Sequence, residues 1–392
     1  MAGAADAPTV SVVIPCLNEE QSIASCVRSA RGVLDDHGIS GEVVVADNGS
    51  EDDSAALATA AGARVVHEAR RGYGSAYLAG FAAASGTYIV TADADQTYDF
   101  NEIPRFLATL ENGADMVIGN RMNNIVPGAM PWLHRYIGNP ILSGFLNLLY
   151  RSGVHDAHCG MRALRRDTLS RLQLRSTGME FASEMVVRAV KENLEIAEFD
   201  IEYHPREGES KLSSFRDGWR HLKLLLVNSP TALFMVPALV LLAVGFLGIV
   251  LSISGISLFG REWQIHATIA AALLTIVGAQ IVTLALSART FAVYVLNEKP
   301  DRLLEWGQEH VTLESGLIAG GIVFLIGFVI DAVIVGIWIN RGFGELSEER
   351  LLVFGSVLII LGLQAFFSSF FLSIIGLARE RPPNWPADSR GG

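Results

Sequence analysis

The chain has 392 residues, half of them hydrophobic and only 18% charged, with three cysteines and a formal net charge of −11. That balance excludes a disordered chain, a disulfide-built scaffold and a nucleic-acid binder, which need more polarity, more cysteine and more positive charge respectively. The average conceals a division: residues 1–230 hold 21 of the 30 Lys and Arg and 29 of the 41 Asp and Glu, leaving the last 162 residues with the composition of membrane spans. Cys16, Cys26 and Cys159 form an odd set with no framework, which favours a reducing compartment. Residues 1–9 show no secretory pattern and are expected to be disordered.

From residue 10 onward short β-branched runs alternate with helical patterns. Strands are expected at 10–14, 42–46, 64–67, 87–91 and 115–118, with helices at 19–34, 52–61, 74–84 and 101–110 between or after them. This alternation predicts βαβ units and an α/β, Rossmann-like, mainly parallel sheet, whose ligands bind beyond the carboxyl ends of the strands. Polar clusters follow four of the five strands: Asn18, Glu19 and Glu20; Asp47 to Asp52; Asp93, Ala94, Asp95 and Gln96; and Gly119, Asn120 and Arg121. They are expected to converge on one edge.

Asp93 and Asp95 leave a strand with one residue between them, so alternation points both carboxylates the same way. Such a pair suits a divalent cation of the hard, oxygen-seeking kind, Mg²⁺ or Mn²⁺; the competing reading is an acidic turn capping the helix that begins at Asn101. Ser50 is a candidate N-cap for the second helix. Arg70, Arg71, Gly72, Tyr73 and Gly74 place two guanidiniums before a helix N-terminus, a candidate anion site. Charge divides again along this head: residues 1–120 carry 6 bases and 17 acids, and residues 121–230 carry 15 bases and 12 acids. The acidic half suits metal and nucleotide, the basic half an anionic partner.

Two segments of the basic half read as helices lying in a membrane interface. Residues 129–150 carry Trp132, Leu133, Tyr136, Ile137, Ile141, Phe145, Leu148 and Leu149. Residues 213–230 carry Phe215, Trp219, Leu222 and Leu226 beside Arg216, Arg220 and Lys223. Packing inside the head is the alternative for both. His155, His158 and Cys159 lack the fourth ligand and the spacing of a zinc site. Glu180 and Glu184 share a helix face and suit either sugar hydroxyls or a salt bridge.

Four spans follow at 232–258, 267–288, 316–340 and 351–378, within a membrane region 231–378, and residues 379–392 form a tail. Nine bases (Arg216, Arg220, Lys223, Arg289, Lys299, Arg302, Arg379, Arg381 and Arg390) fall on the side of the termini. Only Arg261, Arg341 and Arg350 fall on the other, so the head and both termini are expected in the cytoplasm. Residues 298–309 read as a solvated loop helix. Asp331 lies near mid-membrane, where an interhelical hydrogen bond to Gln280 or Gln364 competes with a functional role.

Taken in order, the motifs around Pro15, Asn18 and Glu19, around Asp47 and Asp52, Arg71 to Gly74, Asp93 to Asp95, Gly119 and Arg121, Cys159 to Arg162, and Arg206 to Lys211 resemble the family-two inverting glycosyltransferases of GT-A fold. The nearest group is the polyprenyl-phosphate glycosyltransferases, which includes the dolichyl-phosphate mannose synthases. The likeness covers residues 10–225, and the expected catalytic domain runs over 10–212. It implies a nucleotide diphosphate sugar as donor (GDP-mannose and UDP-glucose both remain open), polyprenyl or dolichyl phosphate as acceptor, and a bilayer as third partner. Homo-oligomers through the transmembrane helices are compatible with it. Carried over by position, Pro15, Asn18, Glu19, Asp47, Arg71, Gly72, Asp93, Ala94 and Asp95 would bind the donor. Asp93 and Asp95 would hold the metal. Arg121 and Arg135 would meet the lipid phosphate, and Arg206, Ser210 and Lys211 would close on the diphosphate. Arg162 is a weaker candidate. The family commonly has Gln two residues after the second Asp, where this chain has Thr97, which leaves Gln96 as a marginal candidate. A processive polysaccharide synthase would share the head but show Gln-x-x-Arg-Trp, and here Trp219 precedes Arg220. A scaffold or lipid translocator with an inactive head sits poorly with intact Asp93, Asp95 and Arg121.

Overall fold

The computed structural model describes residues 8–208, 214–229, 231–256, 264–294, 312–343, 346 and 348–376. Ser210, Lys211, the 298–309 loop and the 379–392 tail lie outside the described residues, as do most of residues 1–9. The chain divides into two compact units, Met1–Asn228 and Ser229–Gly392.

The first unit is built on a seven-stranded sheet. Its strands are β1 (Val10–Cys16), β2 (Gly41–Asp47), β3 (Arg64–His67), β4 (Tyr88–Thr91), β5 (Met116–Asn120), β6 (Arg162–Arg165) and β7 (Ile196–Asp200), in the order β3-β2-β1-β4-β6-β5-β7. Val10, Val12, Val13 and Ile14 are fully buried, as a strand covered on both faces requires. The five expected strands are all present, each within two residues of its expected ends. Two more were not foreseen. Among the described residues β6 is the single antiparallel strand, wedged between β4 and β5 with Thr91 opposite Arg162 and Ile118 opposite Arg162. Its sequence, Arg-Ala-Leu-Arg, has no strand signature; pairing on both edges makes it a strand.

Helices cover the sheet: α1 (Ile23–Asp36), α2 (Ser54–Ala60), α3 (Tyr73–Ala83), α4 (Ile103–Glu111), α5 (Asn139–Tyr150), α6 (Arg166–Leu172), α7 (Phe181–Lys191) and α8 (Ser214–Val227). The first helix starts four residues later than expected, because Glu19 instead closes a turn, accepting from the amides of Ser22 and Ile23. Two capping expectations are corrected. Ser50 caps nothing; its hydroxyl accepts from the Asn18 amide across the β1 and β2 loops. The helix near residue 101 is capped by Asp99, whose carboxylate accepts from the Asn101 amide, so Asp93 and Asp95 are not spent on capping it.

The second unit contains α9 (Val236–Ile253), α10 (Ile265–Tyr294), α11 (Leu313–Asn340) and α12 (Glu349–Gly376), four helices long and apolar enough to cross a membrane. Without a hydrophobic force to join helices in lipid, small residues at the seams let backbones approach. A Cβ on Gly327 would stand 2.5 Å from the Gly355 carbonyl oxygen, one on Gly320 2.7 Å from the Phe366 amide, and one on Gly278 2.7 Å from the Leu242 amide. Asp331 does make an interhelical hydrogen bond, but with Ser356, whose hydroxyl lies 2.9 Å away, and not with either glutamine.

These seams predict that Gly327→Leu, which overfills the α11–α12 contact, costs about 1–3 kcal/mol and lowers the thermal midpoint in detergent. Gly336→Ala, with open space around it, should leave the midpoint unchanged. Equal midpoints for the two variants would refute the seam.

Candidate active site

The carboxyl ends of β1, β2, β4 and β5 meet as expected, and the loops beyond them interlock. Asn18 takes a positive φ of 50° so that its side chain accepts from the Glu51 amide while Ser50 accepts from its own. Asn48, which sequence reasoning passed over, accepts from the Gly72 amide at 2.6 Å and donates to the Glu68 and Arg70 carbonyls. Gly72, at φ 141°, presses against the Thr177 carbonyl where no side chain fits. Asp47 is occupied locally. Burial would raise its pKa, but the Ser50 and His67 hydrogen bonds prevail and hold it below the ordinary carboxylate value.

These loops enclose a cavity of about 280 Å³ lined by Pro15, Leu17, Glu19, Asn48, Arg71, Gly72, Tyr73, Asp93, Ala94, Asp95, Arg121, Tyr203 and Arg206, among others. Asn18 and Asp47 are not on its wall; their neighbours Leu17 and Asn48 are. Burial and the charge of Asp95 push Asp93 up to about 6, against the hydrogen bond from Tyr73 (2.9 Å) and the charges of Arg121 and Arg206. Asp95 accepts from the Thr97 hydroxyl through Oδ1 and faces Arg206 Nε at 3.5 Å through Oδ2. Arg206 also binds Glu19 at 2.8 Å. Gln96, at φ 61°, turns away and donates to Glu207.

Arg121 is buried and forked onto Asp156, with Nε to Oδ2 at 2.7 Å and Nη2 to Oδ1 at 2.9 Å. Burial opposes ionisation of Asp156, but Arg121 overcomes it and depresses its pKa. Among the described residues the third nitrogen, Nη1, makes a 3.5 Å contact with the Tyr98 hydroxyl, which accepts from the Gly160 amide at 2.7 Å. Gly160 is small of necessity: a Cβ there would lie 2.5 Å from Asp93. Arg162 lies off this cavity and donates to the carbonyls of Cys159, Ala157 and Ala182. Glu184 accepts from the amides of Arg175 and Ser176, bracing the loop against which Gly72 and Gly74 pack, and Glu180 accepts from the Gly178 amide. Neither glutamate lines the cavity.

A second cavity, about 470 Å³, shares Arg121, His158, Met179, Tyr203 and Arg206 with the first and extends under residues 128–142 to α8. Trp132 (65% exposed), Tyr136, Ile141 and Leu148 (74%) stand outward on this segment. Arg135 lines neither cavity; it sits on a π-helical turn, His134–Gly138, with its guanidinium 5.3 Å from the Tyr136 ring centroid. Helix α8 turns Asp217, His221 and Leu225 inward and leaves Trp219, Arg216, Arg220 and Lys223 exposed. One helix therefore carries both a packed face and an exposed aromatic and basic one. Among the described residues no group of three His, Cys, Asp or Glu could hold a metal by itself.

An α/β head with an acid pair and a clamped arginine at its strand ends, followed by long apolar helices, defines a membrane-linked transferase of GT-A type. Residues 11–173 match the glycosyl transferase family 2 model, and residues 286–376 match the glycosyltransferase family 2 C-terminal transmembrane region. The chain is 43% identical over 372 residues to the low-salt glycan biosynthesis hexosyltransferase Agl6 of Haloferax volcanii, covering 94% of this chain and 90% of that protein. It belongs to glycosyltransferase family 2 and is a multi-pass membrane glycosyltransferase. It is also similar to the dolichyl-phosphate hexose transferase of Haloferax volcanii (36% over 212 residues, 53% of this chain, 89% of that one). A third relative is the undecaprenyl-phosphate 4-deoxy-4-formamido-L-arabinose transferase of Salmonella dublin (30% over 309 residues, 73% and 89%).

The Arg121–Asp156 pair yields a stability prediction. Asp156→Asn leaves a buried guanidinium uncompensated and should cost about 3–5 kcal/mol. Arg121→Met combined with Asp156→Leu should recover much of that loss. Chemical denaturation of the purified chain compares them, and a near-neutral Asp156→Asn would show the pair to be dispensable.

Proposed function

We propose that this enzyme transfers a hexose from a nucleotide diphosphate sugar to a polyprenyl or dolichyl phosphate, with inversion, at the cytoplasmic face of its membrane. The observation that carries this reading is the joining of two cavities at Arg121, Tyr203 and Arg206. One is walled by the acid pair, and the other runs beneath an outward-facing aromatic segment. The names of the dolichyl-phosphate and undecaprenyl-phosphate relatives support the acceptor class.

Asp93 and Asp95 fit a divalent cation such as Mg²⁺ or Mn²⁺. Both offer hard oxygens, and the charge of one raises the pKa of the other, a repulsion that a cation relieves. With only two protein carboxylates, the remaining ligands would be phosphate oxygens and water. A bound cation would neutralise charge on the departing diphosphate. Arg206, held between Glu19 and Asp95, would face the same diphosphate, and Arg71 lines the same cavity. The acceptor phosphate is already largely dianionic at neutral pH and needs no strong base, so the chain's task is in-line placement. Arg121, forked onto Asp156, lines both cavities where that phosphate would arrive. Arg135 is better placed to meet lipid headgroups beside Tyr136 than to enter either cavity.

Purified chain assayed with a panel of nucleotide sugars and polyprenyl phosphate tests the reading. EDTA should abolish transfer and Mg²⁺ or Mn²⁺ restore it, while Asp95→Asn should lower turnover by at least about a hundredfold, the range seen on removing one electrostatic stabiliser. Full turnover of that variant in EDTA would exclude the metal role. A second test concerns the membrane face. In proteoliposomes made with brominated lipids, Trp219→Phe should remove a share of the quenched tryptophan emission, since Trp219 is read as lying in the interface. Unchanged quenching would place α8 away from lipid.

A further inference from the structure

Arg206 reaches the acid pair from outside the strand that carries it. Its Nη2 lies 2.8 Å from Glu19 Oε1 and its Nε 3.5 Å from Asp95 Oδ2, so one guanidinium spans carboxylates from two different loops. The two contacts differ in kind. The first is a hydrogen bond. The second is attraction at ion-pair distance, since Nε has no hydrogen-bond partner among the described residues. Both acid side chains are nearly buried, at 9% exposure each, while that of Arg206 keeps 24% and lines both cavities.

The backbone that delivers this side chain is fastened to the acid pair's own loop. The His204 amide donates to the Thr97 carbonyl at 3.0 Å, the Glu207 amide donates to the Asp95 carbonyl at 3.1 Å, and Gln96 donates to the Glu207 carboxylate. Arg206 therefore stands beside Asp95 by construction, and an exchange of partners there needs movement of its side chain alone. The guanidinium does for Asp95 what a divalent cation would do, supplying positive charge to a carboxylate crowded by another. A cation at the acid pair and a guanidinium at Asp95 would repel one another at close range, strongly so where water is scarce. An anion lying between them removes the conflict, and the donor diphosphate is such an anion.

We propose that Arg206 is an internal counter-cation for the acid pair: it holds Asp95 in the nucleotide-free enzyme and yields that carboxylate to a divalent cation only in exchange for the donor diphosphate. This deepens the donor and metal reading above and rests on it. Glu19 is the positioning residue, because its closer, hydrogen-bonded contact keeps the guanidinium at the site while the longer one is exchanged. The consequence is that metal and nucleotide bind together, and the acid pair stays closed to a stray cation between turnovers.

The test uses full-length enzyme in detergent and reads binding by calorimetry, first with Mn²⁺ alone and then with Mn²⁺ and GDP or UDP. Arg206→Gln should bind Mn²⁺ alone at least about tenfold more tightly than wild type, the smallest change that a charge at this range makes to a carboxylate's equilibrium. The same variant should bind the nucleotide roughly ten- to a hundredfold more weakly in the presence of Mn²⁺, having lost a charge-assisted contact. A merely structural ion pair would not give opposite signs from one substitution. Without metal the thermal midpoint of Arg206→Gln should fall, and Mn²⁺ should raise it by more than it raises that of wild type. Adding Asp95→Asn to Arg206→Gln should abolish the gain in Mn²⁺ affinity, which locates the ion at the acid pair. Arg206→Lys, a point charge that cannot span both carboxylates, should show a smaller gain of the same sign and serves if the Gln variant does not fold. Unchanged Mn²⁺ affinity in whichever variant folds, or a gain that survives Asp95→Asn, overturns the proposal. Wild-type enzyme that binds Mn²⁺ together with a nucleotide leaves the underlying reading standing in that case. Wild-type enzyme that binds no Mn²⁺ with either nucleotide overturns both.

Discussion

Two carboxylates one residue apart at the end of a buried strand repel each other, and much of the head is arranged around holding Asp93 and Asp95 there. Tyr73 donates to the first from the start of α3, Thr97 to the second, and Arg206 reaches in from the far end of the domain to bridge Asp95 and Glu19. The backbone yields as well, since Gly160 leaves space beside Asp93 that no other residue would leave. The compensation is incomplete, as the raised pKa of Asp93 records. Arg121 is near enough to finish it, but Asp156 takes two of its nitrogens. The site therefore keeps surplus negative charge at the acid pair, beside a guanidinium already held by Asp156.

That arrangement follows from topology. An all-parallel sheet would bring only strand ends to the edge. Inserting β6 antiparallel between β4 and β5 puts its beginning at the same edge, so residues 156–161 lie between the acid pair and Arg121. Asp156, His158 and Gly160 come from that one stretch, and each serves a different neighbour. Arg162 secures it from beneath by donating to carbonyls at 157 and 159, a structural use that explains its burial without any ligand.

The strands β1 to β5 were legible because parallel strands buried on both faces are written as β-branched runs, and the acid pair because strand alternation fixes where two carboxylates point. The four long helices were legible from composition alone. What escaped was set by tertiary pairing. β6 has no apolar alternation, and Asn48 matters through three bonds to loops 20 to 24 residues away. Asp156 could have been found in the His155–Cys159 cluster, but histidine and cysteine there direct attention to zinc, whereas the useful group is the carboxylate. Arg135, an acceptor-phosphate candidate by resemblance, sits on a π-helical turn whose His134 and Gly138 line the second cavity while it does not.

Helix α8 illustrates why a hydrophobic stripe alone does not settle burial. Its stripe through Trp219 and Leu222 is apolar, yet the fully inward positions are Asp217, His221 and Leu225, spaced by four. Two of these are polar: His221 meets Ser183 on α7, and Asp217 pairs with Arg220 on α8 itself. A helix merely resting on the head would not carry a buried histidine into the seam between two cavities; apolar residues would pack there at lower desolvation cost. A polar inward face opposed to an aromatic and basic outward one makes the helix sensitive to both environments. If its outer face lies in the lipid interface as proposed, the side chains that face the reaction are held by the same element that senses the membrane, and an enzyme with a soluble donor and a lipid acceptor would then be ordered at the surface where the acceptor is found.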